Sequence, residues 1–356
     1  MSRDVVATIC LSSLQHNAKV VKRLAPSASI MAMVKSNGYG HGIEPVTHAL
    51  QSFVSAFGVA TIDEALSIRK QGIANPILLT QGVGHIAELD VVNEHQLSIV
   101  VHHQHQLALL KKNKSKVNCW LKADTGMSRL GFAMQEFSDA LQQTIQYDCH
   151  NRPVLMTHLA NADDAHHQLT QQQQDHFKRL TQSCSFAKSV CNSAALLQYP
   201  AMHYDWVRPG IMLYGISPLL NKVGQDFDLK PVMHLSAKLI SIKQINQGDV
   251  IGYGSEYQCQ KNMRIGIVNI GYGDGYPRHA VSGTPVLING IQCPLVGRVS
   301  MDMMAVALPK HKQINVGDKV TLWGESLPIE RVASCAGTIA YELMNKLTRR
   351  VEMKYV

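Results

Sequence analysis

The stretch Ile30-Met31-Ala32-Met33-Val34-Lys35-Ser36-Asn37-Gly38-Tyr39-Gly40-His41-Gly42 decides how the chain is read. An apolar run closed by a glycine-rich segment marks a buried parallel strand feeding a tight strand-to-helix loop. A lysine at the carboxyl end of such a strand faces the pole of an α/β barrel where chemistry is done. Desolvation there removes part of what stabilises the ammonium form and frees the amine to act as a nucleophile. A lysine that snorkels to solvent from the strand end is the alternative, and this segment alone does not choose between them.

Working outward, apolar runs of strand length recur with helix-like segments between them. They are 30–34, 56–60, 76–80, 97–102, 117–123, 154–159, 186–191 and 204–208. Eight such alternations predict a (β/α)8 barrel, TIM-like, with a doubly wound sheet as the fallback, since periodicity cannot show closure. After about Phe227 the texture changes. Runs 232–245, 263–270, 285–294 and 319–323 are strand-like, with turn signals at Gln247-Gly248-Asp249 and Asn315-Val316-Gly317-Asp318. Helical periodicity returns only over 329–347. Residues 1–227 are therefore expected to form the barrel and 228–356 a mainly β domain, with the first strand, around Val5–Leu11, free to pack with the second unit. The glutamines 171–174 read as a polar helix face or a loop.

A chain of 356 residues that is 46% hydrophobic can bury a large core. Its formal charge of +8 would permit nucleic-acid binding, but lysines and arginines are dispersed and no basic run has interleaved aromatics. The eight cysteines form no Cys-x-x-Cys pair, which points to reduced thiols and a cytoplasmic protein. The many histidines lack His-Glu-x-x-His or zinc spacing, so no metal is expected. The short apolar segment after Arg3 carries no clear cleavage site, and no stretch is long enough to span a membrane.

Further motifs sit at the ends of the candidate strands. Arg129, in Lys122-Ala123-Asp124-Thr125-Gly126-Met127-Ser128-Arg129, presents a planar fork suited to binding oxygens bidentately. Ser193, after Cys191-Asn192 at a helix start, and Gly210-Ile211, after the eighth strand, make an anion site of the kind barrels place there for phosphate. Gly210 allows a close backbone approach. His158, Lys122 and Arg208 each have a plain alternative: a core histidine, an ordinary strand lysine and a salt-bridging rim arginine.

The segment 34–42 resembles the pyridoxal-phosphate attachment motif of the alanine racemase family. The likeness runs over essentially the whole chain, to Arg349-Arg350-Val351, with separated motifs in the family's order. The resemblance implies that Lys35 carries pyridoxal 5'-phosphate. It assigns cofactor contacts to Tyr39, His158, Asn192, Ser193, Arg208, Gly210, Ile211 and Tyr341, and substrate contacts to Arg129 and to Met301, the latter through its backbone. Lys122 matches a lysine that is carbamylated in many members. Tyr253, between glycines in Gly252-Tyr253-Gly254, would be the second catalytic base beside Lys35, with His158 and Arg208 in the network that stabilises its phenolate. Tyr253 and Met301 would reach in from a partner subunit of a homodimer. An arginine at 208 cannot accept a proton from the pyridine nitrogen, which suits exchange at one carbon and disfavours transamination. The residue before Met301 is Ser300 here and cysteine in other members.

The implied activity is interconversion of L- and D-alanine by a two-base mechanism, supplying D-alanine for peptidoglycan. A racemase of broader specificity, acting on serine or lysine, is the nearest rival. A decarboxylase would want a carboxylate where Arg208 sits. A non-catalytic pyridoxal-phosphate-binding protein would resemble the barrel alone and lack Tyr253.

Overall fold

The computed structural model describes residues 4–113, 116–147 and 152–356. Eight parallel strands close into a barrel: β2 (Ser29–Met33), β3 (Ala56–Val59), β4 (Ile77–Leu79), β5 (Ser98–Val101), β6 (Asn118–Lys122), β7 (Val154–Met156), β8 (Lys188–Ser189) and β9 (Trp206–Val207). They follow β1 (Val6–Ile9), which lies outside the barrel. Closure is made where Ser29 and Ile30 of β2 pair with Trp206 and Val207 of β9. The expectation of a barrel is met, and all eight strands fall inside the expected runs or within one residue of them. Seven of the eight are shorter than the apolar runs because strands covered on both faces read as continuously hydrophobic beyond their last paired residue. Trp120 of β6 meets Trp206 of β9 edge-on with centroids 5.4 Å apart. Strands three places apart can meet only across the barrel, so these indoles help fill its interior.

The remaining strands are β10 (Met233–Ile245), β11 (Val250–Ile251), β12 (Tyr257–Gln258), β13 (Met263–Val268), β14 (Pro285–Ile288), β15 (Ile291–Pro294), β16 (Met304–Leu308), β17 (Lys319–Trp323) and β18 (Glu352–Tyr355). Their main sheet has the order β15-β14-β17-β10-β1-β18, with β13 joining β10 to β16. Register shifts at Leu235/Ser236 and Leu239/Ser241 let the long β10 serve β1 and β17 with its first half and β13 with its second. β1 runs antiparallel to β10 and parallel to β18.

Two expectations need correction. The run 285–294 is a hairpin, turned at Asn289-Gly290, both at positive φ, which is the signature of a tight two-residue turn. The helical stretch 329–347 is two helices, Ile329–Cys335 and Ala340–Asn345, broken where Gly337 adopts φ 61°. The seven cysteines in the described residues are free thiols, and Cys149 lies outside them. Among the described residues no helix is long and apolar enough to cross a membrane, and no His, Cys, Asp and Glu cluster could hold a metal ion.

Candidate functional site

The carboxyl ends of the barrel strands open onto a cavity of about 830 Å³. Lys35 and Tyr39 enter it after β2, Lys122 ends β6, and Arg129 lies in the loop beyond. His158 follows β7, Asn192 and Ser193 follow β8, and Arg208, Gly210 and Ile211 follow β9. Tyr341 comes from the short helix Ala340–Asn345. Eleven of the residues singled out from sequence thus share one cavity. Tyr253 and Met301 do not line it: they stand on the surface of the β domain, 70% and 52% exposed.

Lys35 is held by an unusual piece of backbone. Ser36, Asn37, Gly38, Tyr39 and Gly40 all have positive φ, forming a left-handed turn. Each non-glycine residue there costs about 1–2 kcal/mol, least for asparagine, while glycine is indifferent. Offsetting contacts are dense. Gly38 N donates to Val34 O at 2.8 Å, Gly42 N to Asn37 O at 2.9 Å, and Ile43 N to the Asn37 side chain at 2.9 Å. Ser36 N donates to Glu64 Oε1 at 2.6 Å. Glu64 also accepts from Ala60 N and completes a capping box with Thr61 on the helix Ile62–Lys70. Sequence reading missed this residue, although Thr61-x-x-Glu64 is a helix-start signal legible without a structure.

The cavity is strongly cationic. Burial lowers Lys35, Arg129 lowers it further, and Glu64 partly opposes them. Burial pulls Lys122 down to about 8, with Arg208 and Arg129 adding to the effect. Buried Arg208 falls to about 10 and so keeps its charge at neutral pH. Its Nη2 donates to Thr157 O at 2.8 Å and Val190 O at 3.2 Å, and its Nη1 to Ser189 Oγ at 2.5 Å. Nη2 also reaches His158 Nδ1 at 3.2 Å. A guanidinium only donates, so Nδ1 must accept and the proton sits on Nε2. Burial, then Arg208, holds that ring neutral, well below the usual histidine range.

The loops carrying these groups are tied down by side chains. Asp124 Oδ1 accepts from the amides of Gly126, Met127 and Ser128 at 3.0–3.1 Å, shaping the turn before Arg129. Gln173 accepts from Ala160 N at 2.9 Å and donates to His158 O at 3.0 Å. Gln173 and Gln174 are buried on the helix Gln168–Thr181, so the glutamine run is partly an interior brace, not a solvated face. A polar residue gives no sequence signal for that burial.

On the far wall Ser193 Oγ accepts from Gly210 N at 2.8 Å and Met212 N at 3.5 Å. A Cβ at Gly210 would stand 2.4 Å from the Tyr39 hydroxyl, so any other residue there would displace that phenol. Asn192 caps the helix Ser193–Gln198, accepting from Ala195 N at 3.0 Å, and donates weakly to Leu159 O at 3.5 Å. Serine, two phenols and backbone amides, facing cations with Asp163 as the one acid in the lining, match a ligand carrying a phosphate and a second anionic group. Lys35, solvent-accessible at the mouth and with its pKa lowered, adds the nucleophile such a cofactor would need. Pyridoxal phosphate fits this donor set.

The surface loops of the β domain are equally braced. Gly252 and Gly254, at φ 75° and 73°, flank Tyr253, and Arg298 beneath them pairs with Glu256. Gly273 N donates to Met301 O at 2.8 Å, and Arg350 bridges Asp274 and Asp302 at 3.1 and 2.5 Å.

Two family models cover most of the chain: "Alanine racemase, N-terminal domain" over residues 9–218 and "Alanine racemase, C-terminal domain" over 232–355. The chain is 49% identical to the alanine racemase of Coxiella burnetii (strain RSA 331 / Henzerling II) over 354 residues, 97% of each chain. It is 44% identical to that of Vibrio cholerae over 357 residues, 99% of this chain and 98% of the relative. Among solved structures, the biosynthetic alanine racemase of Pseudomonas aeruginosa superposes with a TM-score of 0.96 at 40% identity, over 99% of each chain. The Bartonella henselae enzyme with covalently bound pyridoxal phosphate gives 0.89 at 28% identity, over 99% of each.

Proposed function

The chain belongs to the alanine racemase family of pyridoxal-phosphate-dependent isomerases, and we propose that it interconverts L- and D-alanine by two bases acting on opposite faces of Cα. The observation that carries the reading is the convergence of Lys35 with Tyr39, Ser193 and Gly210 in one cationic cavity. When bound, pyridoxal phosphate supplies an electron sink that acidifies the Cα–H of an amino acid.

Lys35 would anchor that cofactor through Nζ and exchange a proton on one face. Tyr39, Ser193, Gly210, Ile211 and Tyr341 would hold its phosphate, with Asn192 shaping the helix start behind them. Arg208, charged at neutral pH, would face the ring nitrogen and keep it unprotonated, while His158 would pack against the ring. Arg129 would bind the substrate carboxylate. Lys122, with an amine titrating at about 8, is reactive enough near neutral pH to take up carbon dioxide as a carbamate, whose negative charge would then orient Arg129.

Tyr253 would supply the second base and Met301 a backbone contact, both delivered by a second copy of the chain into the cavity mouth. Their exposure on the β domain supports delivery in trans. The units acting this way are residues 1–227 and 228–356, with β1 joined by pairing to the second. We place the enzyme in the cytoplasm, where its D-alanine would feed peptidoglycan.

The test is a visible absorption spectrum with turnover of D- and L-alanine, run beside D- and L-serine and lysine. Borohydride should fix a label on the parent protein and not on Lys35→Ala. Label retained in Lys35→Ala, or faster turnover of serine or lysine than of alanine, would overturn the assignment.

A further inference from the structure

His41 closes the left-handed turn, yet no step above uses it. It is fully buried, and its Nδ1 lies 2.9 Å from the carbonyl oxygen of Tyr39. A carbonyl only accepts, so Nδ1 carries the proton. Burial holds the ring neutral, with its titration lowered to about 4. Nε2 is then a bare acceptor, without a hydrogen-bond partner among the described residues. A buried unmatched acceptor is destabilising, and a phenyl ring would fill the same space without it. What the imidazole adds over a phenyl is its hold on the backbone of the turn, chiefly the bond to Tyr39 with a lesser contribution from Gly38.

The ring also belongs to a stack. His41 lies 4.6 Å from the ring of Tyr214, and Tyr214 stacks on Tyr39 at 4.8 Å with planes 26° apart. Tyr214 is itself fixed, donating from its hydroxyl to Met33 O at 3.2 Å in β2. Tyr39 is therefore gripped twice by the same pair: its carbonyl by His41 Nδ1 and its ring by the face of Tyr214. Its φ of 54° makes that grip necessary, because the residue would otherwise relax out of the left-handed region and swing its hydroxyl away from Gly210.

We propose that His41 is a positioning residue for the cofactor, acting through the Tyr39 backbone to hold the Tyr39 hydroxyl at the phosphate end of the cavity. The inference rests on the reading of Tyr39 as a phosphate contact.

The test is a double-mutant cycle on the full-length holoenzyme, read as the dissociation constant for pyridoxal phosphate from equilibrium dialysis and absorbance. Tyr39→Phe and His41→Phe should each weaken binding by about tenfold, the worth of one well-placed hydrogen bond. Their combination should be no more than about threefold worse than either, since both remove the same contact. Factors that multiply in the double variant would overturn the proposal. Tyr39→Phe with parental affinity would instead overturn the reading of Tyr39, and the inference with it. His41→Asn keeps a donor near the Nδ1 position and loses the ring, so it should bind cofactor within about threefold of the parent. A loss as large as that of His41→Phe would refute the part given to the hydrogen bond. Should His41→Phe not fold, His41→Ala takes its place in the cycle, with the same outcomes deciding.

Discussion

The barrel and the β domain treat their functional groups in opposite ways. In the barrel, Arg208 and Lys122 are 4% and 7% exposed and crowded with like charges, while Lys35 beside them is carried by a strained turn. In the β domain, Tyr253 and Met301 stand out in water at 70% and 52% exposure, on loops braced by ion pairs. The first arrangement is a receptor whose unfavourable electrostatics an anionic ligand would relieve. On the proposed reading, the second would be a tool presented outward, its base engaged only when another surface receives it. If the proposed reading holds, the contrast teaches that strain and charge crowding mark where a ligand binds, whereas rigid exposure marks what is delivered to a partner.

The sharpest way to break this contrast is to separate the two bases. Lys35→Ala and Tyr253→Phe homodimers should each lose activity by on the order of 10²–10⁴-fold, the usual worth of a positioned base. Refolded together, they should form mixed dimers in which one site joins intact Lys35 of one chain to intact Tyr253 of the other. Activity should then return toward half that of the parent per mixed dimer. Verified mixed dimers without recovered racemisation would place both bases in one chain.

A second test falls on Arg208. Arg208→Glu would put a proton acceptor beside the ring nitrogen and leave Ser189 Oγ, Thr157 O and Val190 O without their donor. Racemisation should slow, and pyruvate should form from alanine in up to about one equivalent per site. The amino group would pass to the bound cofactor, which would then need replacing by fresh pyridoxal phosphate; a coupled assay reads the pyruvate. Unchanged turnover with no pyruvate would remove the electronic role assigned to this arginine.

Charge crowding itself predicts a pH dependence. Folded Lys122 titrates at about 8 against 10.5 for an ordinary lysine, so the folded state releases its proton first. Below pH 8 both states are protonated and the penalty of the buried charge is fully present. It fades as pH rises from 8 to 10.5, because there the unfolded chain binds the extra proton. In cofactor-free protein kept free of carbon dioxide, Lys122→Met should therefore gain roughly 2–3 kcal/mol at pH 7, an advantage that shrinks towards pH 10.5. Urea unfolding at the two pH values checks it, and a gain independent of pH would deny that the lysine's charge is the cause. The smallest effect is at the brace of the lysine turn: Thr61→Ala should cost about 1 kcal/mol in the same assay by removing the helix cap, with cofactor binding retained.

Much of the barrel was legible because its strands are covered on both sides and read as unbroken apolar runs, and because phosphate-binding chemistry recurs at fixed places around a barrel. The β domain was read less well. β16 hides in Met303-Met304-Ala305-Val306-Ala307-Leu308 without a turn signal to set it off, and β18 is nearly all charged or exposed, its place being an edge beside β1. The left-handed turn was invisible for a different reason. Ser36-Asn37-Gly38-Tyr39-Gly40 advertises a loop, but Tyr39 at positive φ is against its own preference and is imposed by Gly38, Gly40 and the grip of His41 and Tyr214. Gln173 was missed because polar residues that brace a loop look the same in sequence as polar residues facing water; the Glu64 cap was legible, but not its bond to the amide of Ser36 in another loop.

The pairing of β1 has a consequence for how the chain is made. Val6–Ile9 leaves the ribosome before any barrel strand, yet its two neighbours are Met233–Ile245 and Glu352–Tyr355. The earliest strand must therefore wait, unpaired, while the whole barrel is synthesised, and it acquires its last neighbour only after Tyr355 emerges. Contacts of such long sequence separation form slowly, and an unpaired apolar strand is an invitation to wrong partners. The hazard of misassembly thus falls during synthesis, from the emergence of Val6–Ile9 to the arrival of Met233–Ile245, with one edge still open until Glu352–Tyr355.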